Sequence, residues 1–275
     1  QGVEGLQFAG YDIVSLANNH TMNYRAPGLL KTLEALEAKG IKHAGGGKNQ
    51  DEAHTPAVFK VKDRTIAFYA YNDPNIPPGF HGEAKADAPG IAKMDIEVVR
   101  NDVQNAKKYA DIVIVSMHAG REYTNEPTQF QRDFAHAAID AGASAVIGHH
   151  PHWVQSVEYY MDGVIFYSLG NFVFDQFFSP ETQTGFIAEL LFDEKNADIL
   201  LFVNSFKSKQ KDILFEKAYT KDADKIKEQN LFCAKIAEMI KNGKKVAIAD
   251  VFYANGADPD LIEGLIKRVD ISELS

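Results

Sequence analysis

Residues 111–123 read DIVIVSMHAGREY. Ile112, Val113, Ile114 and Val115 are four β-branched residues in a row behind Asp111, and such a run predicts a buried strand over 111–117. His118 stands directly after it, with Arg121 and Glu122 three and four positions further on. In open α/β sheets, sites are built at the carboxyl ends of the strands. One stretch therefore proposes both a strand and the chemistry at its end.

The same pattern recurs on either side. Residues 12–17 (DIVSLA) form a short apolar run ending in Asn18-Asn19-His20, and residues 145–148 run straight into His149-His150-Pro151-His152. Helical spacing separates these strands: Leu29, Leu30, Leu33 and Leu36 within 26–39, a helix over 95–109, and Phe130, Phe134, Ala137 and Ala138 within 127–141. Residues 41–44 predict a further strand, and Gly45-Gly46-Gly47 a flexible turn, since neither GxGxxG nor Walker spacing is present. Residues 56–62 and 64–71 predict an antiparallel pair turning at Lys62-Asp63, and 72–90, rich in Pro and Gly, a long loop. From 153 to about 206 the strands follow one another: VQSVEYY, VIFYSLG, GFIAELLFD and ILLFVNSF. Alternation followed by a run of strands predicts an α/β fold: a mixed sheet with helices outside and a second sheet packed on it. A helix over 222–242, a strand over 245–253 and a helix capped by Asp258-Pro259 complete the chain.

The chain has 275 residues, 45% hydrophobic and 24% charged, with 29 basic and 38 acidic side chains for a net charge of −9. That composition excludes a disordered chain, and the negative balance argues against nucleic acid as a partner. A single cysteine, Cys233, excludes an internal disulfide framework, and its helical setting, with no GxSxG elsewhere, gives no support to nucleophilic catalysis. The chain opens on Gln1 with neither a basic nor an apolar leader region, and the expectation is that it begins inside a larger reading frame.

Five of nine histidines (His20, His118, His149, His150 and His152) fall at three predicted strand ends. Imidazole is the commonest nitrogen ligand of zinc, iron and manganese, so three converging loops predict a metal cage whose metal the spacing leaves open. On an extended segment, HxH puts His150 and His152 on one face. Arg121 is a candidate for an anionic substrate group and Glu122 for a general base or for orienting a ligand histidine; a solvated ion pair is the competing reading. Asn171, in SLGNF after a predicted strand, either orients the site or makes a turn.

With those residues on the page, the chain resembles the CapA-type capsule-synthesis (poly-γ-glutamate biosynthesis) family, a branch of the calcineurin-like metallophosphoesterase superfamily. The resemblance rests on GYDIVSLANNHTMNY (10–24), GGGKNQDEAHTPAVF (45–59), IVSMHAGREY (114–123), GHHPHWVQ (148–155) and YSLGNFVFDQFFSPET (167–182). It implies a four-layer α/β/β/α sandwich of the metallophosphoesterase type over residues 1–242, with 243–275 an appended strand-helix unit or fusion boundary. It also implies Asn19 as a bridging metal ligand, His20 as the acid that protonates a leaving group, and His118, His150 and His152 as further ligands, with His149 an alternative. The family's opening strand ending in Gly-Asp, and its Asn-Leu-Glu, do not occur upstream of Ala17, so the fold is expected to lack its first strands and the site its carboxylates. Asn23-Tyr24-Arg25 also stands where Asp-Tyr-Gly is usual.

The function so implied is synthesis or export of capsule or poly-γ-glutamate at the bacterial cell envelope. A divalent metal (Mn, Fe or Zn) would serve hydrolysis of an ester or amide, with an anionic polymer or small anionic substrate and membrane-bound capsule-synthesis subunits as partners. The resemblance places the protein outside the cytoplasm on an N-terminal anchor not present in this chain. Two rival readings are a non-catalytic polymer-binding or assembly subunit, and a peptide-modifying, epimerase-like enzyme in which His20 or Glu122 moves a proton.

Overall fold

A computed structural model describes residues 2–77, 82–172, 174, 176–192, 199–209, 212–214 and 247–248. They fall into two compact units, the first formed by Gln1–Gly120 and Thr128–His150, the second by Arg121–Pro127 and Pro151–Ser275.

In the first unit, α1 (Gly2–Phe8) lays Val3 and Leu6 on a core cluster of Leu16, Leu29, Leu33, Leu36 and Ile41. Strand β1 (Ile13–Ser15) pairs in parallel with β2 (Lys42–Ala44), and α2 (Arg25–Ala38) crosses between them. That helix buries Leu29, Leu33 and Leu36, one face at i, i+4, i+7; Leu30, one step round, stays exposed. The glycine run is not a flexible turn. Gly45 has φ +81°, and a Cβ there would sit 2.5 Å from the Ala17 Cβ and 2.7 Å from the Ala70 carbonyl oxygen, so the three glycines form a buried, close-packed seam. Gly46 and Gly47 make β3 (Gly46–Gly47), which pairs antiparallel with β6 (Gly90–Ile91) inside the segment expected to be all loop. Between them lie α3 (Gln50–His54), capped by the Asn49 side chain on the Glu52 N–H, and the hairpin β4 (Ala57–Val61) and β5 (Arg64–Asn72).

The expected buried strand is β7 (Ile112–His118), parallel to β5 on one side and to β8 (Ala145–His149) on the other. Helix α4 (Ile96–Ala106) lies between β6 and β7 and buries Val99, Val103 and Ala106. Helix α5 (Gln129–Asp140) lies between β7 and β8 and buries Phe134, Ala135, Ala137 and Ala138. Its first turn holds a capping box: the Thr128 hydroxyl accepts from the Gln131 N–H, and Oε1 of Gln131 accepts from the Thr128 N–H. Gln131 is fully buried where Phe130 was the expected core residue, because this amide also supports the loop after β7. A Cβ on Gly120 (φ +114°) would meet the Gln131 Oε1 at 2.5 Å.

The second unit contains the expected succession of strands. Strands β9 (Val157–Tyr160) and β10 (Gly163–Phe166) form a hairpin, while β11 (Thr184–Phe192), β12 (Ile199–Lys209) and β13 (Asp212–Leu214) form an antiparallel sheet. A short strand, β14 (Ala247–Ile248), pairs with β9 and is the described part of the strand expected over 245–253. The expected helices over 222–242 and after Asp258 lie outside the described residues, as does nearly all of the expected 243–275 unit. Among the described residues no helix is long and apolar enough to cross a membrane.

Candidate functional site

Pairing register aligns Asn72, His118 and His149 at the carboxyl ends of β5, β7 and β8. In-register neighbours on parallel strands present their side chains to the same face, so the fold delivers three polar groups to one row. Asn72 is almost fully buried; its Nδ2 donates to the Asp73 carbonyl, and its Oδ1 is left without a hydrogen-bond partner. An acceptor buried without a donor costs about 1–3 kcal/mol, and such an atom calls for an explanation.

His118 meets Asn19, from the turn after β1, with Nε2 2.9 Å from the asparagine Oδ1 across 99 positions of sequence. Asn18 builds that turn: its Oδ1 accepts from the N–H groups of His20 and Thr21, and the Thr21 hydroxyl donates to the Leu16 carbonyl. The His150 ring lies 5.0 Å from that of His118. Asn19, His118 and His150 are thus together. His149 is half-buried by surface area, yet protein surrounds its ring closely enough that desolvation pushes the imidazole down to about 4. It is therefore neutral near pH 7. His20 is exposed, with Nδ1 3.2 Å from the Asn23 Nδ2.

The backbone after His149 is not the extended segment that the HxH spacing suggested. His150 has φ +101° and His152 φ +60°, so the two-residue alternation does not apply. Both belong to the sparsely populated left-handed half of backbone space, and such residues concentrate where surrounding structure overrules local preference.

His152 belongs to the second unit, where its Nδ1 lies 2.8 Å from the Asn171 Oδ1. Its ring is stacked on Tyr123 at 5.8 Å and tilted against Phe174 at 4.9 Å; Phe178 meets Tyr123 edge-on at 5.2 Å. Tyr123, Phe174 and Phe178 all keep exposed ring surface. Gln155, buried, holds the 121–127 segment through two Nε2 bonds, to the carbonyls of Thr124 and Glu126. Arg121 and Glu122 sit exposed on that segment.

A second polar cluster escaped the sequence reading. Tyr71, fully buried on β5, donates to the Asp102 Oδ2 at 2.7 Å, and the His54 Nδ1 approaches the same oxygen at 3.4 Å, near enough for an ion pair but not aligned for a hydrogen bond. Burial, together with the Asp102 carboxylate, keeps the Tyr71 phenol well above its usual range, so it stays a donor. Strand alternation on β5, which turns Tyr71 away from the face Asn72 occupies, was the available signal.

The donors gathered in the first unit (two imidazoles, an amide oxygen and, on the strand-end row, the unsatisfied Asn72 Oδ1) match in kind the ligands of a borderline divalent ion. Among the described residues no three His, Cys, Asp or Glu side chains gather closely enough to hold one without such amides.

Residues 1–176 match the family model described as "Bacterial capsule synthesis protein PGA_cap", and residues 184–275 match that of a protein family of unknown function, DUF4127. The chain is 40% identical over 177 residues to the "PGA biosynthesis protein CapA" of Bacillus subtilis (strain 168), covering 64% of this chain and 46% of that one. It is 36% identical over 178 residues to the "Capsule biosynthesis protein CapA" of Bacillus anthracis, covering 63% and 43%. The chain spans about half the length of the curated relatives it matches. Among solved structures it is similar to the "Putative 5'-Nucleotidase" of Staphylococcus aureus crystallised with alpha-ketoglutarate, at TM-score 0.51 and 18% identity, covering 86% of this chain and 43% of that one. That likeness speaks to the fold: α/β, of the metallophosphoesterase type.

Proposed function

Because this chain belongs to the bacterial capsule synthesis protein family, we propose that it serves the synthesis or export of an anionic polymer such as poly-γ-glutamate at the cell envelope, through a metal-dependent, hydrolase-like site. The observation that carries this reading is the meeting of Asn19, His118 and His150 at the strand ends, beside an unsatisfied Asn72 oxygen. In this reading Asn19, His118 and His150 hold a divalent ion; His149 and His152 are further ligands only by the family resemblance, and His152 belongs to the second unit. Bound there, manganese, iron or zinc would supply Lewis acidity and a more acidic water.

The chain's own residues supply the rest. His20 is the proton donor. Its Nδ1 lies 3.2 Å from the Asn23 side-chain amide. Exposed Arg121 is proposed to meet an anionic group of the polymer or of a small substrate, and Glu122 to take a proton. The exposed rings of Tyr123, Phe174 and Phe178 favour a second reading, a polymer-binding subunit of a membrane-bound capsule assembly that performs no chemistry. An N-terminal anchor outside the cytoplasm belongs to the proposal, as does the reading of residues 243–275 as a unit appended to the domain over 1–242; the second family match supports a distinct sequence family in the C-terminal part.

Elemental analysis of the natural reading frame, against a His118→Ala/His150→Ala variant, tests the proposal. Near-stoichiometric metal that falls several-fold in the folded variant is expected. No metal in well-folded wild-type protein would overturn the hydrolase reading and leave the binding subunit.

A further inference from the structure

Every polar atom of Asn72 but one oxygen is engaged. Its N–H donates to the Ala92 carbonyl at 2.8 Å, and its carbonyl accepts from the Met94 N–H at 2.7 Å. The next N–H, that of Asp73, donates to the His118 carbonyl at 2.9 Å. The end of β5 is thus held from both sides, which fixes the backbone that carries the side chain. Nδ2 of Asn72 lies 2.8 Å from the Asp73 carbonyl. A carbonyl only accepts, so this amide cannot be turned over, and the atom directed away is the oxygen. Oδ1 is therefore a fixed acceptor without a donor, on a residue only 1% exposed.

Place and burial together say what could satisfy this oxygen. In register, Asn72 stands beside His118, about 4.8 Å away across the sheet and on the same face. Asn19 meets the same His118, and all three residues belong to the first unit. A side chain with almost no accessible surface can be reached by an ion or a water, not by the N–H or O–H of an organic substrate. The fold itself gives no reason for an asparagine here. An apolar side chain would avoid the unpaired acceptor, and the Asp73 carbonyl would keep the Ile76 N–H, 3.3 Å away. Amide oxygen is also a harder ligand than imidazole, and oxygen ligands suit manganese better than zinc.

We propose that Asn72 supplies its Oδ1 as an oxygen ligand to the divalent ion at the strand ends, and that this amide oxygen, with that of Asn19, inclines the site towards manganese rather than zinc. This deepens the metal-site reading and rests on it. The unpaired oxygen is then a cost carried by the metal-free fold and removed when the ion binds.

Thermal midpoints and calorimetric titrations with manganese and with zinc, on the natural reading frame, test this through three variants. Asn72→Leu has a similar size and no oxygen. It is expected to melt at or above the wild type without metal and to lose most of the manganese-dependent rise in midpoint. Its manganese affinity should fall at least about 10-fold, the lower end of what partners acting only through a ligand contribute, and its zinc affinity should fall less. Asn72→Asp restores an oxygen and adds a charge. Its midpoint should drop without metal, because the buried carboxylate lacks a donor, and rise further with manganese than that of the wild type. The third variant, His118→Ala/His150→Ala, tests the underlying reading. Manganese binding that is lost there yet intact in Asn72→Leu overturns the ligand role and leaves the metal site standing. Equal losses for zinc and manganese in Asn72→Leu overturn the preference for manganese. An Asn72→Leu protein that melts far below the wild type without metal, yet binds manganese as tightly, assigns the oxygen to a structural water and overturns the proposal. Wild-type protein that responds to neither metal overturns the proposal and the reading together.

Discussion

Two clusters in the first unit both contain histidine, and they differ in where they sit and in how the backbone is held. Around Tyr71, the phenol donates to Asp102, His54 stands beside the same carboxylate, and Phe134 meets the tyrosine ring edge-on at 5.5 Å. The side chains come from α3, α4, α5 and β5, so one buried tyrosine ties three helices to the sheet. At the strand ends, by contrast, Asn72 keeps a buried oxygen with no donor, and His150 sits in a left-handed conformation. The Tyr71–Asp102 bond and the ring packing around it serve stability, although the His54 Nδ1 there has no hydrogen-bond partner; an orphaned oxygen together with backbone strain at strand ends is the pattern expected of a site. Residue type alone does not separate the two. Place at the strand ends and the left-handed backbone there do.

This contrast can be broken by substitution. The largest effect is expected from Tyr71→Ala, which empties a fully buried aromatic position and should cost about 3–5 kcal/mol in urea unfolding. His118→Ala in the metal-free protein should cost under about 1 kcal/mol in the same assay, since the half-buried ring leaves no large cavity. Equal losses in the two variants would erase the distinction. Tyr71→Phe keeps the packing and removes only the donor to Asp102, so about 1–2 kcal/mol should go. Thr128→Ala opens the capping box of α5, with about 1 kcal/mol expected from thermal melts. No change there would mean that Gln131 alone supports the loop after β7.

The smallest effect is a pH slope. Burial lowers the His43 imidazole from its ordinary 6.5, against the opposing pull of Glu52 and Glu37, and its buried Nδ1 has no partner. Below that value the unfolded chain takes up a proton that the folded chain refuses. Stability is therefore full above about pH 6.5 and declines as pH falls through the folded value, with a slope of at most about 1.4 kcal/mol per pH unit for one proton. His43→Gln should flatten that part of the curve in a pH series of denaturation midpoints; a slope that survives would assign it to another group.

Much of the architecture was legible because it depends on periodicity. The β-branched run at 112–115, the leucines at 29, 33 and 36 and the strands after 153 each declare their type within a few residues. The short helices α1 and α3 were not legible, being too brief to show a period. The glycine run was misread as flexible because composition cannot say that Ala17 and Ala70 press against it. In the site, the gathering of Asn19, His118 and His150 followed from strand ends and resemblance, whereas His152 was placed on an extended face that its backbone does not adopt.

By itself, then, the sequence determined which segments become strands and helices, that histidines crowd the strand ends, and which family the chain joins. These are properties of local spacing and of motif order. Only the tertiary structure decided which oxygen faces which ring nitrogen: Asn19 on His118 across 99 positions, Asn171 on His152 across 19, and Asn72 with no donor at all. Hydrogen bonds depend on tenths of an ångström and on which partner can donate, and neither is set until the elements that carry them have packed.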